Sequence, residues 1–205
     1  MIEIRPAQLS DVATIKRLTL ETADLGIPEN RDIANETVRA EAEHHLGSLD
    51  RLIYRRREAA VLVAVDHAKD DEVVGFLILE FNQIEETTGE RQSFIYNMAV
   101  DSRYYGKYVG HKLVWEAAKV SYERGFRYMT SRVTASNERA LLSAIKLGFE
   151  IERYQLTLAC GPEGRAKMPG RPMSERGHAV SRLVRDRKRR LRKERENQPS
   201  GDETS

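Results

Sequence analysis

The sequence predicts a single α/β domain with a mixed, mostly antiparallel central sheet flanked by helices, followed by a basic C-terminal extension. Three observations carry that expectation. β-Prone runs alternate with helical patterns through the first 160 residues, and three of the runs follow one another with only turns between them, which favours antiparallel pairing. The charge is also uneven: residues 161–205 hold 13 Lys plus Arg against 7 Asp plus Glu, whereas residues 1–160 hold 21 against 25. The expected boundaries are therefore a domain over 1–160 and a tail over 161–205.

A chain of 205 residues has room for one ordinary domain and an appendage, and can bury a core without disulfides or metals. The single cysteine, Cys160, cannot form an internal disulfide, which favours a reducing compartment. The longest apolar run, Ala59 to Val65, is too short to span a bilayer, so a cytoplasmic protein without a membrane partner is expected.

Ile2-Glu-Ile-Arg-Pro-Ala alternates as a strand does, and Pro6 limits it. Ser10 or Asp11 can cap the helix that follows, whose stripe is Val12, Ile15, Leu18 and Thr19. Leu25 to Tyr54 is polar, with a helix expected over Asn35 to Leu46, and reads as a flap beside a pocket rather than as core. His44 and His45 are adjacent and so point apart on a helix, and no carboxylate or cysteine has matching spacing, so no metal is assigned. Ala59–Asp66 and Glu72–Asn82 flank the turn His67–Asp71 as a hairpin, and Gln83–Arg91 turns the chain into a strand over Gln92–Val100. After a helix beginning near Val109 and ending at Gly125, Phe126–Val133 reads as strand. Ser136 or Asn137 caps a helix through Lys146, Gly148 stops it, and Phe149–Leu158 reads as a last strand. Trp115, Tyr122 and Phe126, at helical placement, are expected to be partly in the core rather than a base-stacking platform.

The stretch Phe94–Glu123 organises the rest. A β-prone run ends at Val100, a turn carries Gly106 and Gly110, and a helix follows, so that unpaired N–H groups and the positive end of a helix dipole converge. This suits a phosphate or pyrophosphate, although two glycines also permit nothing more than a tight turn.

Three blocks, in order, resemble the GCN5-related N-acetyltransferase (GNAT) superfamily over residues 1 to about 158: Ile4-Arg5-Pro6-Ala7 with Asp11 and Ile15; Met98-Ala-Val-Asp-Ser-Arg-Tyr-Tyr-Gly-Lys-Tyr-Val-Gly-His-Lys-Leu; and Asn137-Glu-Arg-Ala-Leu-Leu-Ser-Ala-Ile-Lys-Leu-Gly-Phe. The resemblance implies acetyl-CoA as cosubstrate and a primary amine on a small molecule, peptide or protein as acceptor. It implies that amides of Tyr105, Gly106, Lys107, Tyr108, Val109 and Gly110, with His111, bind the cofactor's pyrophosphate. It also implies a bulged, splayed strand whose main chain around Met98 and Val100 binds pantetheine, with Asn137 touching that arm or only capping its helix.

Two departures from the family pattern stand out. Tyr105 and Tyr108 replace a usual Arg or Gln and a usual glycine, and Tyr108 is tolerable only if its position does not require positive φ. The tyrosine that many relatives carry four residues after Ala140, as an acid for the leaving thiolate, is here Ala144. Glu80 and Glu85 are then candidate bases by location, with Glu80 also readable as a solvated strand-end charge, and Tyr96, Tyr154 or a water is the candidate acid. Strand alternation puts Tyr96 and Asn97 on opposite faces, so only one would look into the cleft. A catalytically weak CoA-binding scaffold is the rival reading. Arg182–Arg195, with nine basic and two acidic residues, reads either as a solvated tail or as an arm for nucleic acid or another polyanion, and a homodimer is left open.

Overall fold

The computed structural model describes residues 1–29, 31, 33–157, 178, 181, 182, 185, 186 and 189. Met1–Glu150 forms one compact unit and a second begins at Ile151. Most of the run Arg182–Arg195, and with it the polyanion-binding arm, lies outside the described residues. Among the described residues, no helix is long and apolar enough to cross a membrane.

Five strands, β1 (Ile2–Pro6), β2 (Ala59–Asp66), β3 (Glu72–Ile84), β4 (Arg91–Val100) and β5 (Met129–Ser131), lie side by side in sequence order. The first three pairings are antiparallel, and β5 runs parallel to β4. The helices are α1 (Val12–Thr22), α2 (Asn35–His45), α3 (Leu49–Tyr54), α4 (Val109–Glu123) and α5 (Glu138–Lys146).

Both faces of the sheet are covered, which is why β2 and β3 read as nearly unbroken apolar runs. On one face Ile15 and Leu18 of α1 meet Val61, Val63, Phe76 and Ile78. On the other, Val109, Leu113 and Ala117 of α4 meet Leu62, Ala64, Leu77 and Leu79. Each Val, Leu, Ile or Phe side chain buried this way contributes about 1.5–3 kcal/mol relative to exposure. Ser93 on β4 is fully buried and its hydroxyl bonds the Ser121 hydroxyl of α4 at 2.8 Å, satisfying two polar groups that would otherwise be costly there. Asp11 opens α1 while accepting from the two terminal guanidinium nitrogens of Arg5 and from the Gln8 amide.

Four expectations change. The polar stretch Leu25–Tyr54 does enter the core, through Leu46 and Leu49, because two large side chains at the α2–α3 junction suffice to close the first face. Trp115 and Tyr122 are not core: they are 70% and 81% exposed, since the inward stripe of α4 is filled by Val109, Leu113, Val114 and Ala117 and leaves them on the outer side. Phe126 alone packs inward, stacked on Phe81. The strand over Phe126–Val133 shrinks to Met129–Ser131, because the amide of Phe126 is spent closing α4 on the Ser121 carbonyl. The final strand over Phe149–Leu158 is absent across residues 149–157, which lie in no helix or strand.

Two neighbours on α4 therefore separate in their energetic roles. Leu113→Ala is expected to cost about 2–5 kcal/mol in urea unfolding, whereas Trp115→Ala should stay within about 1 kcal/mol of the parent.

Candidate active site

The site begins with an irregularity in β4. Its register against β3 runs Asn97 opposite Ile78 and then Ile95 opposite Leu79, so Tyr96 is an extra residue, a β-bulge. The bulge reverses the facing of everything after it. Ile95 lies in the α4-side core and Ala99, four residues on, in the α1-side core, which unbroken alternation would forbid. It also overturns the expectation that Tyr96 and Asn97 face apart: the Asn97 amide donates to Thr19 Oγ1 of α1 at 3.5 Å, and the Tyr96 ring meets the His45 ring of α2 edge-on at 6.4 Å.

β5 leaves β4 at the same point. Pairing covers Ser93, Phe94 and Ile95 and then stops, so the remainder of β4 has no described neighbour on that side. Because the Asp101 amide donates back to the Val74 carbonyl, ladder alternation turns the N–H and C=O groups of Val100 and Met98 outward, to this open edge.

Past Val100 the chain makes a short 3₁₀ turn, Ser102–Tyr104, capped by Asp101, whose carboxylate accepts from the Arg103 amide and guanidinium. The Tyr104 hydroxyl donates to Asp66 at the end of β2, anchoring the turn to the sheet. The amides of Tyr105 and Lys107 are already bonded, to the carbonyls of Ser102 and Tyr104. Those of Gly106, Tyr108, Val109, Gly110 and His111 find no acceptor among the described residues, and the last three form the first turn of α4. Gly106 and Tyr108 both have positive φ, +77° and +60°. The position of Tyr108 thus does require the left-handed region, and tyrosine occupies it at a cost of about 1–2 kcal/mol, with its ring exposed. A row of amide donors at the positive end of a 15-residue helix fits a diphosphate.

At the other end of the site, Glu80 on β3 stands opposite Phe94, on the α1 side, and accepts from Gln83. Tyr96 is 40% exposed; burial first, and the charge of Glu80 second, push its phenol above the usual range, so it stays a hydroxyl donor. Glu85 is instead used up by its turn, where its carboxylate accepts from the amides of Thr87 and Thr88. Asn137 caps α5, its side-chain oxygen accepting from the Ala140 amide. Ala144 is half-buried and brings no hydroxyl. Tyr154 lies beyond this unit, half-exposed and in no helix or strand. Among the described residues, no cluster of His, Cys, Asp or Glu could hold a metal ion.

Sequence reasoning missed Thr19, His45 and Arg139 as neighbours of the site. The Arg139 guanidinium lies over the Tyr105 ring, 3.6 Å from its centre. The available signals were a hydroxyl on the apolar stripe of α1 and a cation in the first turn of α5.

The sequence profile of the acetyltransferase (GNAT) family matches residues 27–149. The chain belongs to that family. Many solved structures share the fold, three among them as follows. A Pyrococcus furiosus protein assigned as an acetyl transferase superposes with a TM-score of 0.64 at 19% identity, covering 78% of this chain and 100% of its own. The PaiA N-acetyltransferase from Thermoplasma acidophilum, in complex with coenzyme A, gives 0.63 at 21% identity over 76% and 93%. An aminoglycoside antibiotic 6'-N-acetyltransferase from Acinetobacter baumannii gives 0.56 at 15% identity over 78% and 99%. Comparison with curated protein sequences gives no match.

Two outcomes follow for the turn. Tyr108→Gly should leave thermal stability unchanged or raise it by up to about 1 kcal/mol, while Tyr108→Val should lower it by about 1–2 kcal/mol, since a β-branched residue tolerates positive φ least. For Asp101, the Arg103 hydrogen bonds hold the carboxyl below the usual carboxylate range against burial, which pushes it up. A depressed folded value means stabilisation that is present above about pH 4 and lost as pH falls through the folded value. Asp101→Asn should therefore be less stable than the parent at pH 7, with the gap narrowing below about pH 4 in denaturant unfolding.

Proposed function

We propose that this chain transfers the acetyl group of acetyl-CoA to a primary amine on a small molecule, peptide or protein, through a catalytic domain spanning about residues 1–160. The observation that carries this reading is the pairing of two features: five amides without an acceptor among the described residues, in the turn and first turn of α4, and a β4 edge with no described partner from Tyr96 onward. The amides of Gly106, Tyr108, Val109, Gly110 and His111 hold the diphosphate, flanked by Tyr105 and Lys107. The outward main-chain groups of Met98 and Val100 pair with the pantetheine arm as an added strand would, and Asn137 lies beside that arm. Bound there, acetyl-CoA supplies an activated thioester carbonyl.

Glu80 takes the proton from the attacking ammonium, directly or through a water, so that a neutral amine nitrogen forms the C–N bond. Tyr96, kept as a hydroxyl by burial and by Glu80, donates a hydrogen bond to the sulfur as the C–S bond breaks, and Tyr154 is not needed. Such a donor takes over part of the work that a tyrosine at position 144 would do. The alanine at 144 favours a second reading, a CoA-binding scaffold with weak or no turnover.

Calorimetric titration with acetyl-CoA and free-thiol release against an amine panel separate these readings, since binding without turnover on any amine supports the scaffold. In the active case Glu80→Gln is expected to lower kcat about 10²–10⁴-fold, and Tyr96→Phe to lower it less, with CoA affinity kept in both. Unchanged turnover in both variants would remove them from the mechanism.

A further inference from the structure

The amides at the start of α4 carry partial charges only, while a diphosphate brings full ones. Of the cations around the turn, Arg103 is tied to Asp101 and Glu72, and the Lys112 ammonium donates to the Ile2 carbonyl. Lys107 and Arg139 have no carboxylate partner among the described residues: the Lys107 ammonium sits 4.7 Å over the centre of the Tyr104 ring, and the Arg139 guanidinium lies 3.6 Å over the centre of the ring of Tyr105, the residue immediately before Gly106.

Its location in its own helix is unfavourable. With Asn137 as the cap, Arg139 falls in the first turn of α5, where the helix dipole is positive and a carboxylate, not a cation, is stabilised. A residue that contradicts local preference without an ion pair to offset it marks a constraint from outside the helix. Stacking on a ring uses the face of the guanidinium and leaves its in-plane N–H donors available for two oxygens of one anion.

We propose that Arg139, placed over Tyr105, is a phosphate-binding residue for coenzyme A and adds a full positive charge beside the amide row. The inference rests on the acetyl-CoA reading above. The phosphate concerned is either in the diphosphate or the 3'-phosphate of the ribose, and the choice of ligand tells them apart.

The test is calorimetric titration of the full chain and of Arg139→Gln, Arg139→Lys and Tyr105→Leu with CoA and with dephospho-CoA, alongside thermal melting. Arg139→Gln is expected to weaken CoA binding about 10–100-fold, as loss of a charge-assisted hydrogen bond does. Arg139→Lys should restore part of it, because a lysine keeps the charge without the fork, and Tyr105→Leu should weaken binding about 2–5-fold. A penalty that persists with dephospho-CoA assigns Arg139 to the diphosphate, and one that vanishes assigns it to the 3'-phosphate. Either supports the proposal. CoA affinity within about twofold of the parent in a folded Arg139→Gln chain would overturn it and leave acetyl transfer standing. Absence of CoA binding by the parent chain would remove both.

Discussion

The bulge at Tyr96 is the constraint on which the rest of the site depends. One extra residue in β4 ends its partnership with β5, swaps the faces of Asn97, Met98 and Ala99, and brings Tyr96 and Asn97 to the side of α1 and α2. Without it β4 would be an ordinary inner strand with both edges satisfied, and no main-chain groups would remain for a ligand. The same extra residue links the catalytic proposal to the binding one, because Tyr96 stands where the uncovered edge begins.

A second constraint acts at the far end of that edge. Asp101, Arg103 and Glu72 fix the 3₁₀ turn, Tyr104 pins it to Asp66, and the chain then enters two positive-φ positions that fan the following amides outward. The strain at Tyr108 is carried by this framework, since nothing in the residue itself favours the left-handed region. An exposed tyrosine in that position keeps the backbone geometry that a glycine would give while adding an aromatic wall, which meets the His111 ring at 5.4 Å.

Much of the fold was legible because hydrophobic periodicity reports which residues must be buried. The stripe Ile15, Leu18 and Thr19, the hairpin around His67–Asp71, and the caps at Asn137 and Gly148 all appear where the pattern puts them. The family blocks likewise marked the strand–turn–helix junction. What escaped depends on facts that periodicity does not encode. A bulge shifts facing without altering composition, so alternation alone sets Tyr96 and Asn97 on opposite faces. Phe149–Leu158 alternates well, but strand formation needs a partner edge, which alternation says nothing about. Trp115 and Tyr122 look like core residues by type, and only the width of the inward stripe of α4 excludes them. The contact of Arg139 with Tyr105 joins positions 34 apart, beyond any local window.

The buried pair of hydroxyls, Ser93 and Ser121, has a geometric consequence. It fastens α4 lengthwise to β4 near the place where β5 still pairs, while the amide row opens 12 residues earlier on the same helix, about 18 Å away at 1.5 Å per residue. The spacing between the two ends of the site is therefore gauged by a hydroxyl clasp that touches neither of them. A helix free to slide by one turn would shift one end by about 5.4 Å relative to the other, enough to misfit any ligand that spans both.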